Sequence, residues 1–293
     1  MDTRTLKQFV TLADTLHFGR ASEACHISAS ALSRSIRQLE SEVGVVLFDR
    51  DNRSVELTPH GERFLEFARD SLTQWDVVRN ELLADAGELQ GEVSIYCSVT
   101  ASYSFLFDLL SEFRRGHPRI EIKLHTGDPE DAVQRVLAGE EDIAIGARPG
   151  TLPATLAFKP MAETPLVFIA AAERKDYARL SGKRARKDDW AHTPMILSET
   201  GLARRRVDTW FRKLGVQPQI YAQVAGNEAI VSMVSLGFGV GVVPKIVLDN
   251  SPLATNVRLL DVRPALKPYD VGLFALRKKL KSPLIEAFWS QIR

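Results

Sequence analysis

The chain has little cysteine, no excess of charge of one sign and no long apolar run. Its two cysteines among 293 residues, Cys25 and Cys97, lie too far apart for a Cys-x-x-Cys metal or redox motif. Both sit in apolar stretches, which predicts two reduced, buried thiols and suits a cytoplasm. Lys plus Arg number 38 against 37 Asp plus Glu, a net charge of +1. No global positive field marks a nucleic-acid partner, so any such function must come from local arrangement. No stretch reaches the ~20 apolar residues of a membrane span, and Met1-Asp2-Thr3-Arg4 is charged from the start, without the apolar core of a signal peptide. These features exclude secreted, disulfide-stapled and membrane classes. Motifs of catalysis are missing too. There is no Gly-x-Ser-x-Gly elbow, His-Glu-x-x-His pair or Gly-x-x-x-x-Gly-Lys-Ser/Thr loop. Gly237, Gly239 and Gly241 have the wrong spacing for a dinucleotide fingerprint and read as close packing of a strand; the six histidines are scattered. No catalytic residue, metal or cofactor is expected. What is present, 45% hydrophobic and 26% charged residues, is a globular composition. At roughly 100–200 residues per domain, the length predicts two or three domains.

The first sixty residues carry the clearest pattern. Leu6, Phe9, Val10, Ala13 and Leu16 recur at three- and four-residue steps, predicting an amphipathic helix with Asp2 or Thr3 as N-cap. A second short helix aligns Phe18, Ala21, Ala24 and Cys25. A third begins near Ser28 or Ser30 and buries Leu32, Ile36, Leu39 and Val43. Its opposite face is small or cationic: Ser28, Ser30, Ala31, Ser33, Arg34 and Arg37. Two helices, a tight turn and a helix with that outer face predict a helix-turn-helix. The small residues allow close approach in the major groove, and arginine pairs with guanine or phosphate. Phe48, then Val55 and Leu57, flank a turn at Asp51-Asn52 and predict a β-hairpin wing that sets Arg50 and Arg53 against phosphates. The alternative is a three-helix protein-interaction module with solvated arginines. Charge does not separate the two, because residues 1–60 hold seven Lys/Arg and eight Asp/Glu.

A stretch without proline follows Pro59. Leu65, Ala68, Leu72, Trp75, Arg79, Leu82 and Ala86 alternate at three and four residues, a coiled-coil seam broken only by Arg79. Such a seam needs a partner. A second copy of the chain would supply it and place two recognition helices on a two-fold DNA site; packing on the chain's own domains is the alternative. Gly87 and Gly91 bracket a hinge.

Beyond residue 92 the texture is α/β. Strands are predicted at 93–97, 120–124 and 142–145, with helices at 104–115 and 129–137 between them, an order that gives a parallel sheet with ligand sites at strand carboxyl ends. A second set contains a strand at 166–170, a helix around Val207, Trp210, Phe211 and Leu214, and a helix at 229–236; residues 269–293 return to the first lobe. Ser98-Val99-Thr100-Ala101-Ser102 joins a strand to a helix N-terminus, where free N–H groups and three hydroxyls make an anion cradle. Simple N-capping by Ser102 or Ser104 is the bland alternative. Facing it, Thr200 precedes a helix opened by Arg204-Arg205-Arg206, a triplet that is either ligand-facing or solvated surface. Gly146-Ala147-Arg148 at the end of the third strand, and Gly226-Asn227-Glu228 ahead of the later helix, with Ala147, Arg148 and Asn227 foremost, are weaker candidates for the same cleft.

Phe18-Gly19-Arg20-Ala21, the run Ala31-Leu32-Ser33-Arg34-Ser35-Ile36-Arg37-Gln38-Leu39-Glu40, and Leu47-Phe48-x-Arg50-x-x-Arg53-x-Val55-x-Leu57-Thr58-x-x-Gly61 together resemble the winged helix-turn-helix of LysR-type transcriptional regulators. Ala29-Ser30 and Ser35 stand where that family often has glutamine, which removes two adenine readers. The resemblance implies an α/β protein with an N-terminal winged helix-turn-helix at 1–58, a linker and dimerisation helix with hinge at 59–90, and a two-lobed, periplasmic-binding-protein-like effector domain at 91–293. Lobe 1 would comprise about 91–162 and 267–293, and lobe 2 about 163–266. Further stretches, among them Cys97–Ser104, Glu121–Asp128, Arg204–Arg206, Asn227–Val234 and Pro283–Trp289, are similar to family members that activate the gene for acetohydroxy acid isomeroreductase in branched-chain amino-acid synthesis. That similarity implies a cytoplasmic activator with double-stranded operator DNA, RNA polymerase and copies of itself, as dimer or tetramer, for partners. Acetolactate or acetohydroxybutyrate would be the co-inducer. Two alternatives stay open: a regulator of the same family answering another small carboxylate, and a solute-binding protein or cleft enzyme that binds no operator.

Overall fold

The structure is a computed structural model that describes residues 2–50, 54–85, 89–182 and 185–292. Two compact units divide it, Met1–Gly87 and Glu88–Arg293.

The first unit begins with α1 (Thr3–Thr15), whose N-terminus is capped by the Asp2 carboxylate accepting from the Thr5 N–H at 2.7 Å. His17 Nδ1 accepts from the Arg20 N–H at 3.2 Å and opens α2 (Phe18–Ala24). Ser28 caps α3 (Ala29–Val43), which stops at Gly44 in the left-handed region. The apolar faces meet in one core of Leu6, Phe9, Leu12, Leu32, Ile36 and Leu39. β1 (Phe48–Arg50) pairs antiparallel with β2 (Val55–Leu57), so the wing forms; its expected turn at Asp51-Asn52 lies outside the described residues. α4 (Pro59–Asp85) then runs for 27 residues. Its start is seated so closely that a Cβ on Gly61 would collide with the Leu47 carbonyl oxygen.

The seam of α4 divides in two. Ala68 is fully buried, and Leu65 and Leu72 pack with it against the first unit's core. Trp75, Val78 and Leu82 are exposed at 50%, 49% and 66%. Packing on the chain's own domain therefore accounts for the first half of the seam and not for the second. Ala86 and the expected hinge residue Gly87 lie outside the described residues.

The second unit opens with β3 (Gly91–Cys97), α5 (Val99–Ala101), a π-helical turn over Ser102–Leu106 and α6 (Phe107–Gly116). After these come β4 (Ile120–Thr126), α7 (Ala132–Ala138), β5 (Ile143–Ala147), β6 (Leu156–Thr164) and β7 (Leu166–Ala171). The chain continues through α8 (Lys187–Ala191), β8 (Pro194–Ser198), α9 (Gly201–Leu214), β9 (Gln219–Val224) and α10 (Asn227–Ser235). It ends with β10 (Val240–Pro244), α11 (Lys245–Asp249), β11 (Val257–Leu260), β12 (Tyr269–Leu276) and α12 (Pro283–Trp289).

Two five-stranded sheets result, ordered β4-β3-β5-β12-β6 and β11-β7-β10-β8-β9. The expected parallel pairing holds for β3 with β4 and β5, whereas β12 runs antiparallel between β5 and β6. The first sheet is therefore mixed. A single residue separates β6 from β7, so the chain crosses between sheets there and returns through β12. The first lobe buries Val93, Ile95, Phe113 and Phe288; the second packs Phe168, Trp190, Trp210 and Phe211 ring against ring. Gly241 serves packing, as expected, since a Cβ there would meet Ile230 and Val234 at 2.6 and 2.7 Å. Cys97 is fully buried and its thiol is pushed up to about 12 by that burial, while Cys25 is half-buried; neither is in a disulfide.

Candidate functional site

The outer face of α3 is the first site. Ser28, Ser30, Arg34 and Arg37 are exposed, with Ala31 and Ser33 half-buried beside them. Ser28 also acts as the N-cap, accepting from the Ala31 N–H at 3.2 Å, and its hydroxyl lies 3.1 Å from that of Ser30. Ser35 points the other way and donates to Gln8 Oε1 at 2.6 Å.

Arg50, expected at the phosphates, is engaged within the unit. Its Nη2 donates to Glu40 Oε2 at 2.6 Å, and its guanidinium lies 5.4 Å from the centre of the Phe18 ring. Glu40 Oε1 accepts from the Leu47 and Phe48 N–H groups at 3.0 and 3.2 Å. One carboxylate on α3 thus fixes the base of the wing, and Arg50 is its counter-charge. Arg53 lies outside the described residues.

The second site is a cavity of about 270 Å³ between the two sheets of the second unit. Of the cleft candidates singled out from the sequence, Ser98, Thr100, Ala101, Gly146, Ala147, Thr200, Gly226 and Asn227 line it. Ser98 is the N-cap of α5, its hydroxyl accepting from the Ala101 N–H at 3.1 Å, so the helix starts five residues earlier than the spacing predicted. Ser102 and Ser104 are not caps, because their hydroxyls donate back to the Val99 and Thr100 carbonyls at 2.7 and 2.8 Å. Ser102 is turned out of the cavity for that reason. Arg148 also lies off it, with its guanidinium over the Phe158 ring.

Arg204 is the third departure. Its Nε donates to Asp208 at 3.0 Å and its Nη1 to the Ser198 carbonyl and Gln223 Oε1, at 3.0 and 2.5 Å. The next residue, about 100° further round the helix, is the one facing the cavity: Arg205. Arg206 turns to a third side, donating to the Lys267 and Pro268 carbonyls and covering the Tyr269 ring.

Two carboxylates link the lobes: Glu130, which the sequence reading missed, and Glu228, which it held as a weaker candidate for the cleft. Glu130 of lobe 1 accepts the Leu202 N–H at the start of α9 with both oxygens, at 3.1 and 3.2 Å. Glu228 of lobe 2 accepts the Thr100 N–H and hydroxyl at 3.0 and 2.5 Å. Burial raises the Glu130 carboxyl above its ordinary value. Gly201 makes room for Glu130: it has φ +92°, and a Cβ there would run into the Glu130 carboxyl group.

Residues 3–62 match the bacterial regulatory helix-turn-helix family of LysR type, and residues 86–293 match the LysR substrate binding domain. The activator IlvY of Salmonella typhimurium is 44% identical over 292 residues, covering 99% of this chain and 98% of the relative. The activator IlvY of Haemophilus influenzae is 38% identical, with all of both chains covered. A full-length OxyR variant from Pseudomonas aeruginosa superposes with a TM-score of 0.70 at 26% identity, covering 100% of this chain and 95% of that one. Full-length CbnR in complex with its target DNA shares the fold, with a TM-score of 0.61 at 23% identity over 100% of this chain and 99% of that one. A helix-turn-helix with its wing, a two-lobed unit around a cavity, and relatives of this kind along the whole length agree: the chain is a DNA-binding transcriptional regulator, not an enzyme, and belongs to the LysR family.

Proposed function

We propose that this regulator activates a branched-chain amino-acid biosynthesis gene, that of acetohydroxy acid isomeroreductase, in response to acetolactate or acetohydroxybutyrate. The observation that carries the reading is end-to-end identity of 44% with an IlvY activator. Residues 1–58 form the operator-binding module, 59–90 the linker, dimerisation helix and hinge, and 91–293 the effector-binding domain. The exposed second half of α4 supports pairing with a second copy, and two such dimers form a tetramer on paired half-sites. Ser30, Ser33, Arg34 and Arg37 enter the major groove. Acetolactate is a small hydroxy-keto carboxylate, suited to the hydroxyls of Ser98, Thr100 and Thr200, the Asn227 amide and the Arg205 guanidinium. Its binding favours one arrangement of the lobes, and the regulator passes that change to bent DNA and RNA polymerase. Only a difference in affinity between two states can drive the switch.

A gel shift and footprint on the promoter beside the protein's own gene, with and without acetolactate, tests this. The expected result is a protected site whose footprint changes with acetolactate. A footprint that ignores acetolactate and answers another carboxylate would replace the effector, and no protected site at all would reject the regulator's target.

A further inference from the structure

The effector cradle already holds a carboxylate, and it belongs to the protein. Ser98, the α5 cap, and Thr100 open a helix that runs on through the π turn into α6 and ends at Gly116. The Thr100 N–H and hydroxyl both donate to Glu228 Oε1, on the other lobe. The reciprocal contact, Glu130 on the Leu202 N–H, is of a different kind. Glu130 is half-buried and jammed against Gly201 with no room for a Cβ, whereas Glu228 is exposed. One link between the lobes is fixed and the other can let go.

We propose that Glu228 is an internal stand-in for the effector's carboxylate. Binding exchanges one carboxylate for another on Thr100, and the exchange frees the start of α10 from lobe 1. The charges around the cavity define the ligand class. Among the described residues, Asp128, Glu130 and Glu199 line it together with a single cation, Arg205, and displaced Glu228 remains close by. A second carboxylate on the ligand would meet uncompensated negative charge, so the cleft takes a monocarboxylate whose remaining polar groups are neutral. This inference rests on the effector reading above and adds to it a competitor and a charge limit.

The test measures hydrogen exchange at the Thr100 amide in the full chain, and titrates racemic acetolactate, pyruvate, lactate, succinate and 2-oxoglutarate by calorimetry. Wild type is compared with Glu228→Ala, Glu228→Gln and Glu199→Gln. The last removes a cavity charge that is not seated on Thr100. Without ligand, Glu228→Ala speeds Thr100 exchange by about tenfold, and the same variant tightens monocarboxylate binding by about tenfold, because the competing closed state is gone. Glu228→Gln is intermediate; Glu199→Gln, which lifts part of the cavity's negative charge, tightens binding less than Glu228→Ala does and leaves Thr100 exchange at the wild-type rate. Equal Thr100 exchange in wild type and Glu228→Ala overturns the stand-in. So does equal tightening by Glu199→Gln, which would make the effect simple charge removal. A dicarboxylate that outbinds every monocarboxylate overturns the ligand class. If pyruvate or lactate gains from Glu228→Ala while acetolactate binds neither protein, the exchange stands and the proposed effector falls; if no monocarboxylate binds either protein, both fall.

Discussion

A single carboxylate, Glu40, accepts from two wing amides and from Arg50 at once. Hydrogen bonds to a charged group are worth ~1.5–3 kcal/mol each, and buried donors left without a partner cost about as much again. Glu40→Gln is therefore expected to lower the thermal midpoint of the chain's first unfolding transition, read by circular dichroism. Arg34 lies on the exposed side of the same helix. Arg34→Ala should weaken operator affinity and lower the slope of log affinity against log salt by about 1, the signature of one lost phosphate contact; unchanged affinity and slope would remove Arg34 from the interface. Glu130 gives a pH prediction. Burial raises its carboxyl above the ordinary 4.5, so the folded protein keeps a proton that the unfolded chain has released. That contribution is complete below 4.5 and is lost as pH rises through the raised folded value. Urea unfolding of wild type relative to Glu130→Gln should show wild type losing ground as pH climbs over that range, and a flat difference would contradict the sign. At this scale the sequence was a partial guide. It marked Arg34 and Thr100 by residue type and position, but could not distinguish Arg204 from Arg205, because which face of α9 meets the cavity depends on how the helix packs on β8 and β10.

At the scale of elements, helices with strong apolar periodicity were legible: α1, α3 and α4 carry their registers openly. The start of α5 was not, because Val99-Thr100-Ala101 has no apolar stripe and the cap, Ser98, is one hydroxyl among several. β6 escaped notice for a related reason. Its buried residues, Leu156, Ala157 and Thr164, sit at its two ends with no alternation between them, it contains Pro160, and its place at the edge of the sheet is decided by pairing with β12, more than a hundred residues away. The contacts of Glu130 and Glu228 are equally non-local, spanning 72 and 128 positions in the chain. The two halves of α4 differ in what they touch, and that difference predicts a clean separation of effects. Leu82→Glu, on the exposed half, should shift the protein towards monomer in sedimentation velocity while leaving the circular dichroism spectrum of the monomer intact, since the residue is 66% exposed. Ala68→Glu, on the buried half, should unfold the first unit instead, by placing an unpaired charge in its core.

For the whole molecule, the two units carry separable tasks. Thr100→Ala is expected to abolish the acetolactate response in a promoter assay with operator affinity retained; a normal response would remove Thr100 from the site. Gly201→Ala should act on the second unit as a whole. A Cβ there collides with the Glu130 carboxyl and imposes a backbone angle that costs ~1–2 kcal/mol outside glycine, so acetolactate affinity falls while gel shifts on the operator do not change. The tie between Glu40, Arg50 and the wing amides reaches further than stability. It welds the hairpin to α3, so helix and hairpin move as one rigid key. If the proposed operator contacts hold, retuning such a key to a new sequence is a matter of recutting the teeth at Ser30, Ser33, Arg34 and Arg37, whereas changes at Arg50 would bend the blade.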